Sequence, residues 1–510
     1  MENQIEKKNY LVHLSFNTYT FHSLIQLNEA QRLIDQGHNV TVLYCNNGVE
    51  YCYANDLGDK KICSMCKKLQ THWLDLLKGE FKKISYDELN ITKNYNKCNE
   101  LQFNYDGLQE IKNLTYKNVK IGYGALSTYI SKTRNLHPAI DLEFRNYFDN
   151  LLKTECILVE ILQKLTYENN YESIVFLNGR HFEVRPFYDF AKENNITVRC
   201  LEKGNSIEND EYRGFNYGEF LPHNLENINH LIYDTWNNSN LKLNEKNRIG
   251  SSFFEKRKNN IPAGDTVYTI NQQKNLLPKN WDSKVRNFVI FNSSEDEFAA
   301  IGDEFDKLSF FENQIEGIKK IAEILSNYKN IHLYLRIHPN LIGIKYSYHT
   351  ELYKLNELYP NLKVIPADDT TSTYALIENA EKIIVFGSST GIEAVNMEKP
   401  VILLAGSLYY YMNLCYIPKS IEELENLLIN YLNPLDKNES LKYGFYILSN
   451  KGEIFDKIAL KRTKYFPGTP QKINRETYFG MIKRFYLTNK IAKIESKNTK
   501  LIPTKERIND

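Results

Sequence analysis

Short apolar runs closed by small or polar residues alternate along this chain with stretches of helical spacing. Asn9-Tyr10-Leu11-Val12-His13-Leu14-Ser15 reads as a strand, and the amphipathic stretch from about Thr20 to Gln36 as a helix stopped by Gly37. Asn39-Val40-Thr41-Val42-Leu43-Tyr44 is the next strand, so the chain opens with a β-α-β unit. A long helix is predicted from about Leu142 to Asn169. A strand over Ile174-Val175-Phe176-Leu177 follows, with the polar end Asn178-Gly179-Arg180, then a helix opened by Pro186, and a strand from Ile196 reaching Glu202-Lys203-Gly204. Gly122 to Tyr129, small and polar, reads as a loop suited to close approach, and residues 225 to 283 as polar helix and linker.

The alternation resumes at Arg286-Asn287-Phe288-Val289-Ile290-Phe291 and runs through a helix from Gln314 to Asn327, a strand from Ile331 to Ile337 and another from Asn361 to Pro366. A short helix from Thr370 to Asn379 precedes the stretch around which the chain is organised. There Lys382-Ile383-Ile384-Val385-Phe386 runs into Gly387-Ser388-Ser389-Thr390-Gly391, and Ile392, Ala394 and Val395 begin a helical pattern. Strand, tight turn and helix N-terminus present backbone N–H groups and hydroxyls that suit an anion such as a phosphate. Pro400-Val401-Ile402-Leu403-Leu404 is the next strand, and strands joined by helices make parallel sheets whose ligands sit at the strands' carboxyl ends. The expected fold is α/β, with two Rossmann-like domains facing a central cleft. The boundaries expected are an N-terminal acceptor-side domain over 1–280, a C-terminal donor-binding domain over 281–430, and a helical region with a basic tail over 431–510.

Composition narrows the classes. A chain of 510 residues is too long for one ordinary core. A formal charge of +1 argues against a general nucleic-acid binder. No apolar window approaches the ~18 residues of a membrane-spanning helix, and Met1-Glu2-Asn3-Gln4 lacks a signal-peptide pattern, so a cytoplasmic protein is expected. Oligomeric state is not legible.

Candidate chemistry clusters at strand ends. Arg336 and His338, two apart, point to one face, where the arginine can clamp phosphate and the histidine can donate to it or shuttle a proton. Cys45, Cys52, Cys63 and Cys66 fall in a short window with a CxxC, enough thiolates for a structural metal such as zinc, with inert buried thiols as the alternative.

Asn178-Gly179-Arg180, Glu202-Lys203-Gly204, Ser293-Ser294-Glu295-Asp296-Glu297-Phe298, Arg336-Ile337-His338-Pro339-Asn340 and Phe386-Gly387-Ser388-Ser389-Thr390-Gly391-Ile392-Glu393-Ala394 resemble the motifs of bacterial capsular polysaccharide biosynthesis proteins. Those proteins are similar to GT-B glycosyltransferases, and the resemblance covers roughly residues 10 to 430. It implies a glycosyltransferase that moves a sugar from a nucleotide-activated donor to a growing cell-surface glycan or lipid-linked acceptor. The alternatives on the same architecture are a nucleotide-sugar 2-epimerase and a polyol-phosphate transferase. Carried onto this chain, Arg336, His338, Ser293, Ser294, Ser388, Ser389 and Thr390 would hold the donor phosphates, and Glu393 the ribose diol. No cofactor is implied, and no Asp-x-Asp triplet for a metal–diphosphate site stands out. His13, Glu202 and Glu295 are unranked candidates for the acceptor-activating base.

Past Gln471, lysines and arginines interleave with aromatic and aliphatic residues. Such a tail suits peripheral association with an anionic membrane, or packing of its aromatic residues on the N-terminal domain.

Overall fold

A computed structural model of the chain describes residues 6–89, 92–204, 213–264, 267–344, 346–450 and 452–454, with backbone elements also at 460–463 and 466–470. The tail past Gln471 lies outside the described residues. The strands are β1 (Asn9–Leu14), β2 (Asn39–Tyr44), β3 (Lys82–Ser85), the short pair β4 (Thr115–Tyr116) and β5 (Val119–Lys120), β6 (Ser173–Leu177), β7 (Thr197–Lys203) and β8 (Arg213–Asn216). After them come β9 (Arg286–Phe291), β10 (Ile331–Arg336), β11 (Leu362–Ile365), β12 (Lys382–Val385), β13 (Val401–Leu403), β14 (Glu453–Ile454) and the hairpin β15 (Leu460–Thr463) and β16 (Phe466–Pro470).

Two compact units result. Among the described residues, the first holds those up to Pro222 and again from Gly452, and the second holds His223–Asn450. The first has a seven-stranded sheet ordered β14-β8-β7-β6-β1-β2-β3, and the second a five-stranded sheet ordered β11-β10-β9-β12-β13. Pairing is parallel from β3 through β1 to β7, and parallel throughout the second sheet. Both are Rossmann-like: the chain starts in the middle, moves to one side, then crosses to the other. Strands covered on both faces read as continuous apolar runs, which is why β6 is buried at every position. The second unit's core joins Phe288 and Ile290 of β9, Leu333 and Leu335 of β10 and Ile384 of β12 to Ile318, Ile321 and Leu325 of the helix Gln314–Leu325.

Two expectations differ from this architecture. Gly122–Thr133 is a helix rather than a loop, buried along most of its length, and its small residues let it pack against the helix Leu142–Glu168. The chain divides at 222/223 rather than near 280. The helices Leu225–Asn237 and Leu243–Lys258, within the stretch read as polar helix and linker, pack on Lys437–Ser449 and so belong to the second unit. The latter contact is close: a Cβ on Gly250 would lie 2.3 Å from the Leu441 carbonyl oxygen, and one on Gly444 would lie 2.4 Å from that of Gly250.

This crossing generates a prediction. Gly250→Ala should destabilise the second unit by about 1–3 kcal/mol, since the added methyl meets backbone and cannot be turned aside. Chemical denaturation of the variant checks this, and an unchanged midpoint would refute the backbone contact.

Candidate functional site

In the second unit, β10 lies on one side of β9 and β12 on the other, so the carboxyl ends of β9 and β12 form a topological switch point. A cavity of about 50 Å³ opens there. Its lining comes from the residues following β9 (Asn292), β10 (His338, Pro339) and β12 (Ser388, Ser389, Thr390), with Arg336, Glu393, Tyr374, Tyr268 and Arg257. Gly387 makes the turn possible: its φ is +80°, and a Cβ would lie 2.6 Å from the Gly406 oxygen.

Each polar group is held by its neighbours. The His338 backbone N–H donates to Asn292 Oδ1 at 2.8 Å, and the Asn340 N–H donates to His338 Nδ1 at 3.1 Å. The neutral ring therefore carries its proton on Nε2. Tyr268 packs edge-on against that ring, the centroids 4.9 Å apart. Arg336 is only 2% exposed, and burial lowers its pKa. Its Nη1 donates to the Pro366 oxygen and its Nη2 to the Asp369 oxygen at 2.9 Å, while Nε is buried with no partner among the described residues. Its terminal nitrogens thus brace the turn after β11. The bidentate phosphate grip expected of it would compete with those two carbonyls.

Glu393 sits in the helix Thr390–Asn396, and its carboxylate is engaged from two sides. Arg257 donates to Oε1 through Nε at 3.0 Å and Nη2 at 2.8 Å, and Tyr374 donates its hydroxyl to Oε2. Burial and Glu393 together push the Tyr374 phenol far up. Arg257 Nη2 also lies 3.4 Å from Ser389 Oγ. Sequence reading missed Arg257 because it stands in Phe254-Glu255-Lys256-Arg257-Lys258, which looks like the solvated end of a helix.

The structure brings together Arg336, His338, Ser388, Ser389, Thr390 and Glu393. It leaves Ser293, Ser294 and Glu295 off the cavity lining. Ser293 exchanges hydrogen bonds with Gln314 at 3.0 and 2.8 Å. Ser294 donates to Asp296 at 2.7 Å and accepts from Asn340 at 3.0 Å, tying the loops after β9 and β10 together. Glu295 is half-buried, and desolvation raises its carboxyl to about 7.

The remaining candidates lie in the first unit. His13 is 1% exposed, stacks on Phe187 with centroids 3.8 Å apart, and meets the Tyr86 hydroxyl at 2.6 Å through Nε2. Burial pulls its pKa down to about 3. Glu202 accepts from Asn178 Nδ2 at 2.6 Å and from the Lys203 N–H at 2.7 Å, and burial raises its pKa. Cys45, Cys52, Cys63 and Cys66 line one cavity of about 40 Å³, together with His13 and Glu183. Among the described residues no three His, Cys, Asp or Glu side chains are placed to hold a metal ion. Glu183, also missed, accepts from the Phe16 N–H at 3.0 Å and the Tyr53 N–H at 2.6 Å, which orders the loop after β1.

No protein-family model matches the chain, and no curated protein matches it. Solved structures similar to it include Thermosulfurimonas dismutans KpsC, a beta Kdo 2,4 transferase, at 15% identity over 55% of this chain and 79% of that one, TM-score 0.34. The beta Kdo 2,7 transferase of the same KpsC is 12% identical over 65% of this chain and 89% of that one, TM-score 0.33. The UDP-GlcNAc 2-epimerase from Neisseria meningitidis is 12% identical over 87% and 98%, TM-score 0.28. At such values these likenesses carry no weight for what this chain binds. Among the described residues no helix is long and apolar enough to cross a membrane.

The buried His13 sets an acid limit on the first unit. Its folded pKa of about 3 lies below the unfolded 6.5, so the unfolded chain binds the extra proton between those values. Stability should be full above pH 6.5 and fall as pH drops towards 3, by at most about 1.4 kcal/mol per pH unit. His13→Gln should flatten that slope in thermal melts of the first unit. An unchanged slope would assign it to other groups.

Proposed function

We propose that this protein is a glycosyltransferase that takes a nucleotide-activated sugar in its second unit and transfers the sugar to a glycan or lipid-linked acceptor of the cell surface. The observation that carries the reading is the cavity at the β9/β12 switch point. Among the described residues its lining holds two guanidiniums, a histidine with its N–H on Nε2, and hydroxyls of Ser388, Ser389 and Thr390, against the one carboxylate of Glu393. That balance favours an anion. The order of the sequence motifs, which resemble those of capsular polysaccharide biosynthesis proteins, supports a nucleotide sugar as that anion.

The chemistry follows from where charge develops. As the glycosidic bond to the leaving phosphate breaks, negative charge grows on the phosphate oxygens, and preorganised donors there stabilise the transition state. His338 is preorganised by Asn292 and Asn340, so its N–H need not reorient as the charge appears. Ser388 Oγ accepts from the Thr390 N–H at 3.3 Å, which orders the hydroxyl turn opposite.

Thermal shift against UDP, CMP, CDP and GDP tests the reading. One nucleotide class should stabilise the protein, and His338→Ala should remove most of that shift and of transfer while leaving the fold intact. Near-normal donor saturation in the variant would rule out the phosphate assignment. Interconversion of a nucleotide sugar with no acceptor present would identify a 2-epimerase instead.

A further inference from the structure

Glu393, at the mouth of the helix after β12, is where a ribose diol would be expected to bind, but the structure gives its carboxylate another task. A carboxylate offers about four lone-pair sites. Arg257 takes two through Oε1, and the Tyr374 hydroxyl takes one on Oε2. Both carboxylate oxygens are engaged, and the side chain is 6% exposed. Arg257, 13% exposed, lines the cavity with Nη2 at 3.4 Å from Ser389 Oγ, which sets its guanidinium beside the hydroxyl turn. The other guanidinium of the lining, Arg336, has both terminal nitrogens on backbone carbonyls.

We infer that Arg257 is the guanidinium that meets the donor phosphate, and that Glu393 and Tyr374 are positioning residues that aim it rather than ribose ligands. This rests on the nucleotide-sugar reading above. The Arg257 side chain reaches the cavity from the helix Leu243–Lys258, outside the sheet strands and their loops. Glu393 holds it through the side-on edge, Nε and Nη2 on one oxygen, which fixes the plane of the fork. Tyr374 donates to the opposite oxygen and keeps the carboxylate from turning. Affinity at this site should therefore depend on phosphate through Arg257 and Glu393 alike, and not on the ribose hydroxyls through Glu393.

Calorimetric titration of the full-length protein with CMP, UDP and GDP, each beside its nucleoside and its 2′-deoxy form, separates the roles. In Arg257→Lys and Glu393→Gln the nucleotide that binds wild type should weaken about tenfold or more, through loss of the fixed guanidinium fork in the first and of its aim in the second. Nucleoside binding should be unchanged, and the ratio of ribo to deoxy affinity should match wild type in both variants. Arg257→Lys keeps a cation beside Glu393, so it reports even if Glu393→Gln fails to fold. The inference is overturned if Arg257→Lys binds nucleotide as wild type does, or if Glu393→Gln loses ribose discrimination while keeping phosphate dependence. Wild-type protein that binds none of the nucleotides would overturn the donor reading itself, and this inference with it.

Discussion

The ion pair between Arg257 and Glu393 is the interaction on which the second unit's cavity depends. It joins a helix that precedes the sheet to the helix that follows β12, across 136 residues of sequence. Both side chains are largely removed from water, where removing one partner of a buried pair typically costs about 3–5 kcal/mol because the other charge is left uncompensated. Other buried cations here are satisfied differently. Arg336 rests on the carbonyls of Pro366 and Asp369. Lys382 caps the helix Ile421–Ile429 through the carbonyls of Leu427, Leu428 and Asn430, and burial lowers its pKa to about 8. Carbonyl dipoles satisfy these groups without cancelling their charge; Arg336 stands at the carboxyl end of β10, Lys382 at the amino end of β12.

The first unit's cavity has the opposite character. Desolvation keeps His13 neutral, raises Glu183, and lifts the Cys45 thiol to about 12. A lining of neutral imidazole, thiols and a carboxyl held by two backbone N–H groups offers an anion little. Similar strand orders thus frame two different solvents, and the difference lies in the loops rather than in the sheets.

The alternation of strands and helices was legible because parallel strands buried on both faces leave uninterrupted apolar runs: β2 and β9 begin and end where the pattern places them. The signal fails where burial is one-sided or the residues are small. β3, Lys-Lys-Ile-Ser at a sheet edge, has no apolar run to read. The helix Gly122–Thr133 looked like a loop because glycine, serine and threonine are poor helix formers that packing overrides. Within the site, Arg336, His338 and the serine turn were visible because each sits at the end of a readable strand. Arg257 was not, because its partner Glu393 is distant in sequence and its neighbours are solvated lysines. For the same reason Glu183 gave no sign: its ligands are the backbone amides of Phe16 and Tyr53.

The first unit closes late. β14 pairs antiparallel with β8, Glu453 beside Gly214 and Ile454 beside Arg213, and Arg213 Nη1 donates to the Gly452 oxygen 239 residues further on. During synthesis the outer edge of β8 must therefore wait, for roughly tens of seconds at ~5–20 residues per second, while the whole second unit is made. An unpaired edge is an invitation to another chain. β8 is four residues long, opens on an arginine and closes on an asparagine, a strand too short and too polar to recruit a neighbour before its own partner arrives.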